Sequence, residues 1–227
     1  MDIDPIIRPT SISNIAFERI RQSILSGKMK PDKIYKEMEI ADQMKVSRTP
    51  VREALRQLAV EGLVTAMPGR GYIVNRFSAR DIKEIYDLRT ALEVAIVKKI
   101  AQNPDKYNFS ESDRLNLALC NSLKKEKYDQ FVHVDRQYHT EFCRLYGNAR
   151  IEAALEKSRD VFQLFLSDFK VMALGRGNEI VSEHQKINDC LKSGNVAGVI
   201  EAMETHLYNS LAAVLEILRS NESLLGD

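Results

Sequence analysis

The chain has 227 residues, 44% of them hydrophobic and 29% charged, the composition of an ordinary soluble globular protein with room for two modest domains. No apolar run approaches the roughly 18 residues of a membrane helix, no signal-peptide core follows Met1, and three scattered cysteines argue against secretion, so we expect a cytoplasmic protein. The net charge of +1 is uneven: residues 1–76 carry 13 basic and 9 acidic side chains (+4) and the remainder 20 and 23 (−3), a basic front of the kind that meets an anionic polymer.

The first predicted elements are an arm and two helices. Residues 1–12 contain two prolines and little periodicity, so we expect a flexible arm. A helix is predicted from near Ser13, because apolar residues recur at helical spacing until Gly27 ends the pattern. A turn at residues 31–33 and a short second helix over residues 38–44 follow.

The third predicted helix carries the sharpest motif of the chain, Val46-Ser47-Arg48-Thr49-Pro50-Val51-Arg52-Glu53-Ala54-Leu55-Arg56. Ser47 is suited to cap a helix that runs to about Glu61, and Pro50 falls in the first turn, where a missing N–H is harmless. At 100° per residue, one face holds Arg48, Thr49, Arg52 and Arg56, and the other Val51, Ala54, Leu55 and Leu58. Such a helix suits a DNA major groove, and a solvated basic surface is the alternative.

A glycine-rich hairpin is predicted next. Strand-like runs cover residues 63–67 and 72–75, and between them lies a compact turn, Pro68-Gly69-Arg70-Gly71. Two short helices, a turn, a basic helix and such a hairpin together favour the DNA-reading interpretation over the solvated surface.

From Ser78 onward, long amphipathic stretches predict an antiparallel helical bundle. Its breaks are predicted at Asn103-Pro104, near Lys127, at Gly147-Asn148, at residues 175–177 and at Ser193-Gly194. The six predicted helices cover residues 79–101, 111–125, 128–146, 150–172, 177–193 and 196–219.

Three of the four histidines form a candidate metal site with one aspartate. Asp135 and His139 are four residues apart on one predicted helix and point the same way, while His184 and His206 lie on the last two helices. One carboxylate and three imidazoles converging in a bundle would hold a divalent transition metal, but their spacing leaves open whether the helices bring them together. His133 points to roughly the opposite side and is predicted to be structural.

The DNA-reading segment resembles a known family. Residues 16–74 resemble the winged-helix domain of the GntR family of bacterial regulators, and the stretch from Val46 to Leu55 is the most specific part of the likeness. The other matching residues are Ile20, Ile24, Gly27, Pro31, Ile40, Ala41, Leu58, Glu61, Gly62, Leu63, Val64, Gly69, Arg70 and Gly71. The resemblance implies a mainly α protein whose residues 13–76 form a winged helix-turn-helix of three helices and a two-stranded wing.

The same resemblance implies the DNA contacts. The third helix would enter the major groove and the hairpin tip the adjacent minor groove, so the candidate DNA-binding residues are Ser47, Arg48, Thr49, Arg52, Arg56, Gly69, Arg70 and Gly71. Some family members have an arginine where this chain has Met38, and we expect that contact to be absent. Asp32 and Lys33 replace the family's usual glycine-containing turn, a change expected to be structural only.

Residues from about 80 to 220 resemble the FCD effector domain of one large GntR subgroup, so we expect an all-helical effector and dimerisation domain over residues 79–222. The matching segments are Asp87-Leu88-Arg89, Leu92-Glu93, Asp135-Arg136-Gln137-Tyr138-His139, Gly147-Asn148, Glu183-His184 and His206-Leu207. The resemblance implies that Asp135, His139, His184 and His206 ligate a metal, often zinc or nickel. Six predicted helices suit the shorter variant of this domain.

A metal with open positions would capture the carboxylate or hydroxyl of a small metabolite, and an arginine would hold its other end. Arg89, on the first bundle helix, is the candidate clamp, and an interhelical salt bridge with Glu93 or Asp135 is an equal alternative. Asn188, one turn beyond His184, is a further candidate for the effector site.

The expected function is a homodimeric transcription regulator that binds a short palindromic operator in double-stranded DNA and responds to a small organic acid. The alternative on the same residues is a metalloregulator whose signal is the metal itself. A metal-dependent hydrolase is disfavoured, because no general base of defined placement, nucleophile elbow or phosphate loop is present, and no enzymatic activity is expected. The effector, the metal and the direction of regulation stay open.

Overall fold

The computed structural model describes residues 11–31, 33–76, 78–163 and 170–220, and these are mainly helical, as predicted. The chain divides into two compact units, Met1–Arg76 and Phe77–Asp227. Among the described helices, none combines the length and the apolar character that a membrane crossing requires.

The described residues of the first unit form three helices and a small antiparallel sheet. The helices are α1 (Ile12–Leu25), α2 (Glu37–Met44) and α3 (Arg48–Val60). The strands are β1 (Ile34–Tyr35), β2 (Val64–Met67) and β3 (Gly71–Val74), in the order β1-β3-β2. Ser11 caps α1 by accepting the Asn14 N–H at 3.1 Å, and residues 1–10 of the predicted arm lie outside the described residues.

The sheet has one strand more than the two-stranded wing that was predicted. β1 is two residues long and pairs Ile34 with Ile73 and Tyr35 with Tyr72, on the free side of β3. Two residues are too few to show the alternation of polar and apolar side chains by which a strand is recognised in a sequence. The wing therefore has a third strand, β1, which is recognised by its pairing with β3 and not by a pattern in its own sequence.

The second unit is a bundle of six described helices, in agreement with the predicted number. They are α4 (Ala79–Ala101), α5 (Ser110–Lys124), α6 (Tyr128–Tyr146), α7 (Ala149–Gln163), α8 (Lys170–Lys192) and α9 (Val196–Ser220). A short 3₁₀ helix, Pro104–Lys106, follows α4. One apolar core joins α4, α5, α6, α8 and α9, with Leu155 added from α7.

The break predicted at residues 175–177 is wrong, because α8 runs through both glycines. A Cβ at position 177 would lie 2.5 Å from Leu123 Cδ1 of α5, whereas a Cβ at Gly175 would meet nothing within 4 Å. Gly177 therefore permits a close approach between two helices, a role that in a sequence looks the same as a helix breaker. The helix predicted over residues 150–172 ends at Gln163 among the described residues.

Candidate DNA-reading face and metal centre

α3 has the two faces that its helical wheel predicts. The four apolar side chains of one face are buried against the rest of the first unit: Val51, Ala54, Leu55 and Leu58. The polar side chains of the other face are all exposed: Arg48, Thr49, Arg52 and Arg56. Packing of the apolar face fixes the helix, and three guanidinium groups are left on its outer side.

The arginines of α3 are only weakly engaged within the protein. Arg48 Nη2 lies 3.4 Å from Glu37 Oε2 of α2, and the Arg48 side chain is 65% exposed. Among the described residues no ion pair involves Arg52 or Arg56. Exposed ion pairs contribute little to stability, so these cations can be redirected to a phosphate or a base at small cost.

Ser47 occupies the N-cap position of α3, but its side chain makes no capping hydrogen bond. An N-cap hydroxyl accepts the N–H of the second or third helical residue, and the third residue here is Pro50, which has none. The prediction of a serine cap is therefore right in position and wrong in its hydrogen bond. The exposed hydroxyl of Ser47 lies beside the arginine face instead.

The hairpin tip lies at the surface of the first unit. Gly69 and Arg70 are exposed, and the turn is closed by the Arg70 N–H, which donates to the Met67 carbonyl oxygen at 2.9 Å. Gly71 belongs to β3 and is partly covered. Met38 is 55% exposed on α2, and Lys33 Nζ lies 5.4 Å above the Tyr35 ring, while Asp32 is outside the described residues.

Three buried histidines from three helices meet inside the second unit. His139 lies on α6, His184 on α8 and His206 on α9, and none is more than 2% exposed. One ring nitrogen of each lies within 4.8 Å of those of the other two. We call these three residues the histidine cluster.

Asp135, the fourth predicted ligand, lies at the edge of the histidine cluster. Its Oδ1 atom is 3.6 Å from His184 Nε2. Within the described part of the chain, this oxygen and both ring nitrogens of His184 are buried without a hydrogen-bond partner. Unpaired buried polar atoms are costly, and a cation would satisfy lone pairs of this kind.

Two glutamates hold the outer nitrogens of the cluster. His139 Nδ1 lies 2.6 Å from Glu93 Oε2 of α4, and His206 Nδ1 lies 2.8 Å from Glu183 Oε2 of α8. A carboxylate only accepts hydrogen bonds, so each Nδ1 atom carries a proton and donates it. If both rings are neutral, each Nε2 atom then keeps a lone pair.

The two Nε2 atoms of His139 and His206 face each other at 3.1 Å. Burial lowers the pKa of His139 although Glu93 acts in the opposite direction, so near pH 7 this ring is neutral. Two facing lone pairs repel unless a proton or a metal ion lies between them, and nitrogens about 2.0–2.1 Å from one tetrahedral zinc ion are roughly 3.3–3.4 Å apart, close to the observed separation. The residues present therefore fit a divalent transition metal.

His184 is held differently from the other two histidines. Its ring stacks on the Tyr138 ring, with centroids 3.8 Å apart and planes at 12°. Burial, followed by the neighbouring His206 and His139, lowers the pKa of His184 well below its ordinary value. Stacking fixes the plane of this ring and leaves both nitrogens as potential ligands.

The two predicted effector residues are engaged with protein groups. Arg89 Nε donates to Glu93 Oε1 at 2.9 Å, so the salt bridge considered as the alternative is present, although it lies within α4 rather than between helices. Asn188 is fully buried, and its Oδ1 lies 2.9 Å from the Tyr138 hydroxyl. Its Nδ2 donates to Asp113 Oδ1 at 3.1 Å, so within the described part of the chain both ends of the Asn188 amide bond to groups other than the three imidazoles. His133 is exposed and lies outside the cluster.

Sequence reasoning did not single out Glu93, Glu183 or Tyr138 as site residues. Glu93 stands one helical turn after Arg89, the spacing of an ordinary surface ion pair. Glu183 is adjacent to His184 along the chain but bonds His206 of the next helix. Their adjacency to other site residues was the available signal, and it does not say which imidazole each glutamate holds.

Comparison with known proteins matches a known family to part of each compact unit. Residues 13–74 match the bacterial regulatory proteins of the gntR family, and residues 84–209 match the FCD domain. The gluconate operon transcriptional repressor of Bacillus subtilis (strain 168) is 28% identical over 214 residues, which cover 92% of this chain and 87% of that protein.

Two solved structures show the same fold. A GntR transcriptional regulator from Rhodococcus sp. RHA1 has a TM-score of 0.76 at 24% identity and covers 90% of this chain and 97% of its own. The metal-free FCD domain of the regulator TM0439 has a TM-score of 0.55 at 23% identity, over 64% of this chain and 99% of that domain.

Proposed function

The chain belongs to the gntR family of bacterial regulatory proteins and carries an FCD domain, and on that premise we propose that it regulates transcription in response to a small organic acid bound beside a divalent cation. Its relatives are transcription regulators rather than enzymes. The observation that carries the sensing part is the 3.1 Å approach of two imidazole Nε2 atoms whose Nδ1 atoms are both held by carboxylates.

The DNA-binding part rests on the exposed face of α3. Ser47, Arg48, Thr49, Arg52 and Arg56 would contact bases and phosphates in the major groove, and the tip formed by Gly69, Arg70 and Gly71 would reach the minor groove. Arginine matches guanine edges bidentately and phosphates electrostatically, so the three guanidinium groups suit both tasks.

Loss of a base contact of this kind costs about 1–3 kcal/mol. We expect Arg48→Ala and Arg52→Ala each to weaken operator binding about 10-fold or more in a gel-shift titration at fixed salt. Arg114→Ala, which removes an exposed arginine of α5 in the second unit, is the matched control and should bind like wild type. Unchanged affinity in both α3 variants would refute the assignment of this helix.

The sensing part rests on the histidine cluster and Asp135. These four side chains would hold the cation, zinc or nickel by the preference of imidazole ligands. When bound, such an ion supplies a Lewis-acidic centre that attracts the oxygen atoms of an anionic ligand. The metal-free state named for the related FCD domain of TM0439 supports a metal in domains of this kind.

The formal charge of the side chains that hold the cluster supports an anionic effector. Asp135, Glu93 and Glu183 contribute three negative charges around the cluster, and Arg89 and Arg176 contribute two positive charges. A divalent cation raises the sum to +1, which one carboxylate would neutralise. The name of the gluconate operon repressor points in the same direction for that relative. Arg89 and Asn188 stay the candidate effector contacts.

Metal content and DNA binding measured together test this proposal. The protein as purified should hold about one zinc or nickel ion per chain after mild dialysis and lose it to a strong chelator, and His139→Ala should abolish retention. His133→Ala, on the same helix but outside the cluster, should retain the metal. A wild-type protein that takes up neither ion would overturn the proposed sensing site.

The metalloregulator is separated from the effector-dependent regulator by the same assay. We expect operator affinity of the metal-loaded protein to change on addition of a small organic acid from a panel of monocarboxylates and dicarboxylates. A response to metal alone, with none to any acid, would instead assign the signal to the metal.

We also propose a homodimer that reads a short palindrome, since two-fold protein symmetry matches a two-fold operator. Sedimentation of the protein with and without a palindromic operator should give two chains per duplex. A single chain per duplex at saturation would contradict the dimer.

A further inference from the structure

Two glutamates bond the outer nitrogens of two histidines of the proposed metal site. We propose that Glu93 and Glu183 are positioning residues that lock His139 and His206 in the tautomer with a bare Nε2 atom, and that the arginines paired with them fix which atom of each side chain faces the imidazole. The inference rests on the proposed metal site for its purpose, but the lock itself is a property of the metal-free chain.

The two glutamates are built into the same arrangement on opposite sides of the cluster. Arg89 Nε donates to Glu93 Oε1 at 2.9 Å, and the other oxygen of Glu93 accepts from His139. Arg176 Nη2 donates to Glu183 Oε1 at 2.7 Å, and the other oxygen of Glu183 accepts from His206. Each of these two hydrogen-bonded chains thus consists of an arginine, a carboxylate and an imidazole in series.

The arginine fixes which atom of its partner faces the histidine. A guanidinium group has five donors and no acceptor, so it requires an oxygen from its partner. A carboxylate supplies one oxygen to the arginine and a second oxygen to the histidine, and the histidine must then donate from Nδ1. The lone pair is left on Nε2, the atom that faces the centre of the cluster.

The two arginine–glutamate–histidine chains differ in their contact with solvent. The Glu93 side chain is 3% exposed and that of Arg89 6%, whereas the side chains of Glu183 and Arg176 are 17% and 20% exposed. Asn209 Nδ2 also donates to Glu183 Oε1 at 2.8 Å. Burial acts to raise the pKa of Glu183, but the hydrogen bonds from His206 and Asn209, with the charge of Arg176, outweigh it and lower that pKa.

The decisive variants are Glu93→Gln and Glu183→Gln, which keep the shape of the side chain and replace one oxygen by an amide NH₂. The arginine still donates to the remaining oxygen, so the NH₂ group faces the imidazole. This NH₂ group can donate a hydrogen bond to the ring only if the Nδ1 atom is bare. We expect the histidine in each variant to move its proton to Nε2. A proton there blocks the lone pair that a metal requires.

Two measurements read out this reversal. Nitrogen-15 NMR of the imidazole rings in the metal-free protein should show a protonated Nδ1 atom at His139 and His206 in wild type, and a bare Nδ1 atom with a protonated Nε2 at the affected residue in each variant. Competition with a chromophoric zinc chelator should show a 10- to 100-fold loss of zinc affinity, about the usual size for loss of such an outer hydrogen bond.

The matched control is Glu141→Gln. Glu141 is buried on α6 and pairs with Arg144 at 2.6 Å, but its two oxygens both accept from that arginine rather than from a histidine. This variant should leave all ring tautomers and zinc affinity as in wild type. Should Glu93→Gln fail to fold, Glu183→Gln in its less buried position carries the test.

A compensating double variant distinguishes a change of tautomer from a nonspecific disruption of the site. In Arg176→Met combined with Glu183→Gln the amide is released from the arginine, and Asn209 can rotate to present its oxygen. The oxygen of the new amide at position 183 can then turn to His206, so the Nδ1–H tautomer and most of the zinc affinity should return.

Wild-type tautomers in both single variants, or no recovery in the double variant, would overturn the inference. Because the tautomer is measured without metal, its result stands even if wild type binds no zinc. A wild type that binds no zinc would refute the proposed sensing site, and the NMR of the imidazole rings would still decide whether Glu93 and Glu183 fix the tautomers.

Discussion

At the scale of single residues, Gly71 combines a conformational and a steric requirement. Its φ is +132°, in a region that L side chains rarely adopt, and a Cβ there would clash with the Tyr35 carbonyl oxygen. Gly69, two residues earlier, has φ +70° but open space around its Cα. The glycine that the family resemblance marks as a DNA contact is therefore also the residue that lets β1 pair with β3.

Gly71→Ala should destabilise the first unit more than Gly69→Ala. Alanine in the left-handed conformation of Gly69 costs about 1–2 kcal/mol. The φ of Gly71 suits an L residue still less, and Gly71→Ala adds the clash with β1. Chemical unfolding of the intact chain, followed by a probe in the first unit, measures the difference in the free energy of unfolding. Equal losses in the two variants would mean that β1 moves away without cost.

At the scale of elements, α8 contains two glycines, Gly175 and Gly177, at which a helix break was wrongly predicted. The helix carries His184 and Glu183, and its first half packs against α5 at Gly177. Replacing a glycine in an exposed helix interior by alanine stabilises by about 0.5–1 kcal/mol, provided that the new methyl group has room. Gly175 has that room and Gly177 does not.

Gly175→Ala should therefore raise the free energy of unfolding of the second unit by about 0.5–1 kcal/mol. In Gly177→Ala the same gain should be offset by displacement of Leu123, so that this variant is no more stable than wild type. Urea unfolding of the two variants side by side checks the contrast. A gain of equal size at both positions would show that Leu123 moves aside freely.

The start of α4 is stabilised by a reciprocal capping box. The Ser78 side chain accepts the Asp81 N–H at 3.2 Å, and the Asp81 carboxylate accepts the Ser78 N–H at 2.6 Å. Hydrogen bonds from the Ser78 hydroxyl and N–H lower the pKa of Asp81 below its ordinary value of 3.8. The ionised form is thus favoured in the folded state.

Because the folded-state pKa of Asp81 is lowered, its contribution to stability is present above pH 3.8 and is lost as the pH falls through the folded-state value. Asp81→Asn should lower the free energy of unfolding at pH 7, by about 0.5–1 kcal/mol for a helix N-terminal carboxylate. The gap between wild type and variant should shrink at about pH 3, as measured by thermal unfolding at both values. A gap that does not depend on pH would contradict the carboxylate's role.

At the scale of the whole molecule, DNA reading and the proposed sensing lie in different compact units. The exposed arginines of α3 belong to Met1–Arg76, whereas the histidine cluster, Glu93 and Glu183 belong to Phe77–Asp227. Ligands that bind only a folded form stabilise it in proportion to the logarithm of their concentration over Kd. Metal should consequently stabilise one unit and not the other.

Addition of zinc or nickel at about 100 times its Kd should stabilise the second unit by about 2.7 kcal/mol. Calorimetry of the intact chain should show that transition move upward while the transition of the first unit stays in place, and a chelator should reverse the shift. His206→Ala should remove the response, and His133→Ala should keep it. A shift of both transitions together would show that the two units unfold as one.

The sequence alone determined the order and type of the helices, the buried and exposed faces of α3, and the residue types of the candidate metal site. These properties depend on local periodicity, which 3.6 residues per turn and the burial of one apolar face impose on any chain. They include the helix bounds at both ends of α4 and α6.

Only the tertiary structure decided which helical faces meet. It placed His139, His184 and His206 together with Asp135 at their edge, assigned Glu93 to His139 and Glu183 to His206, turned Gly177 into a packing contact, and supplied β1 as a partner for β3. Each of these depends on residues far apart in the chain, where packing of side-chain shapes and pairing of buried polar groups select the contact and local periodicity carries no information about it.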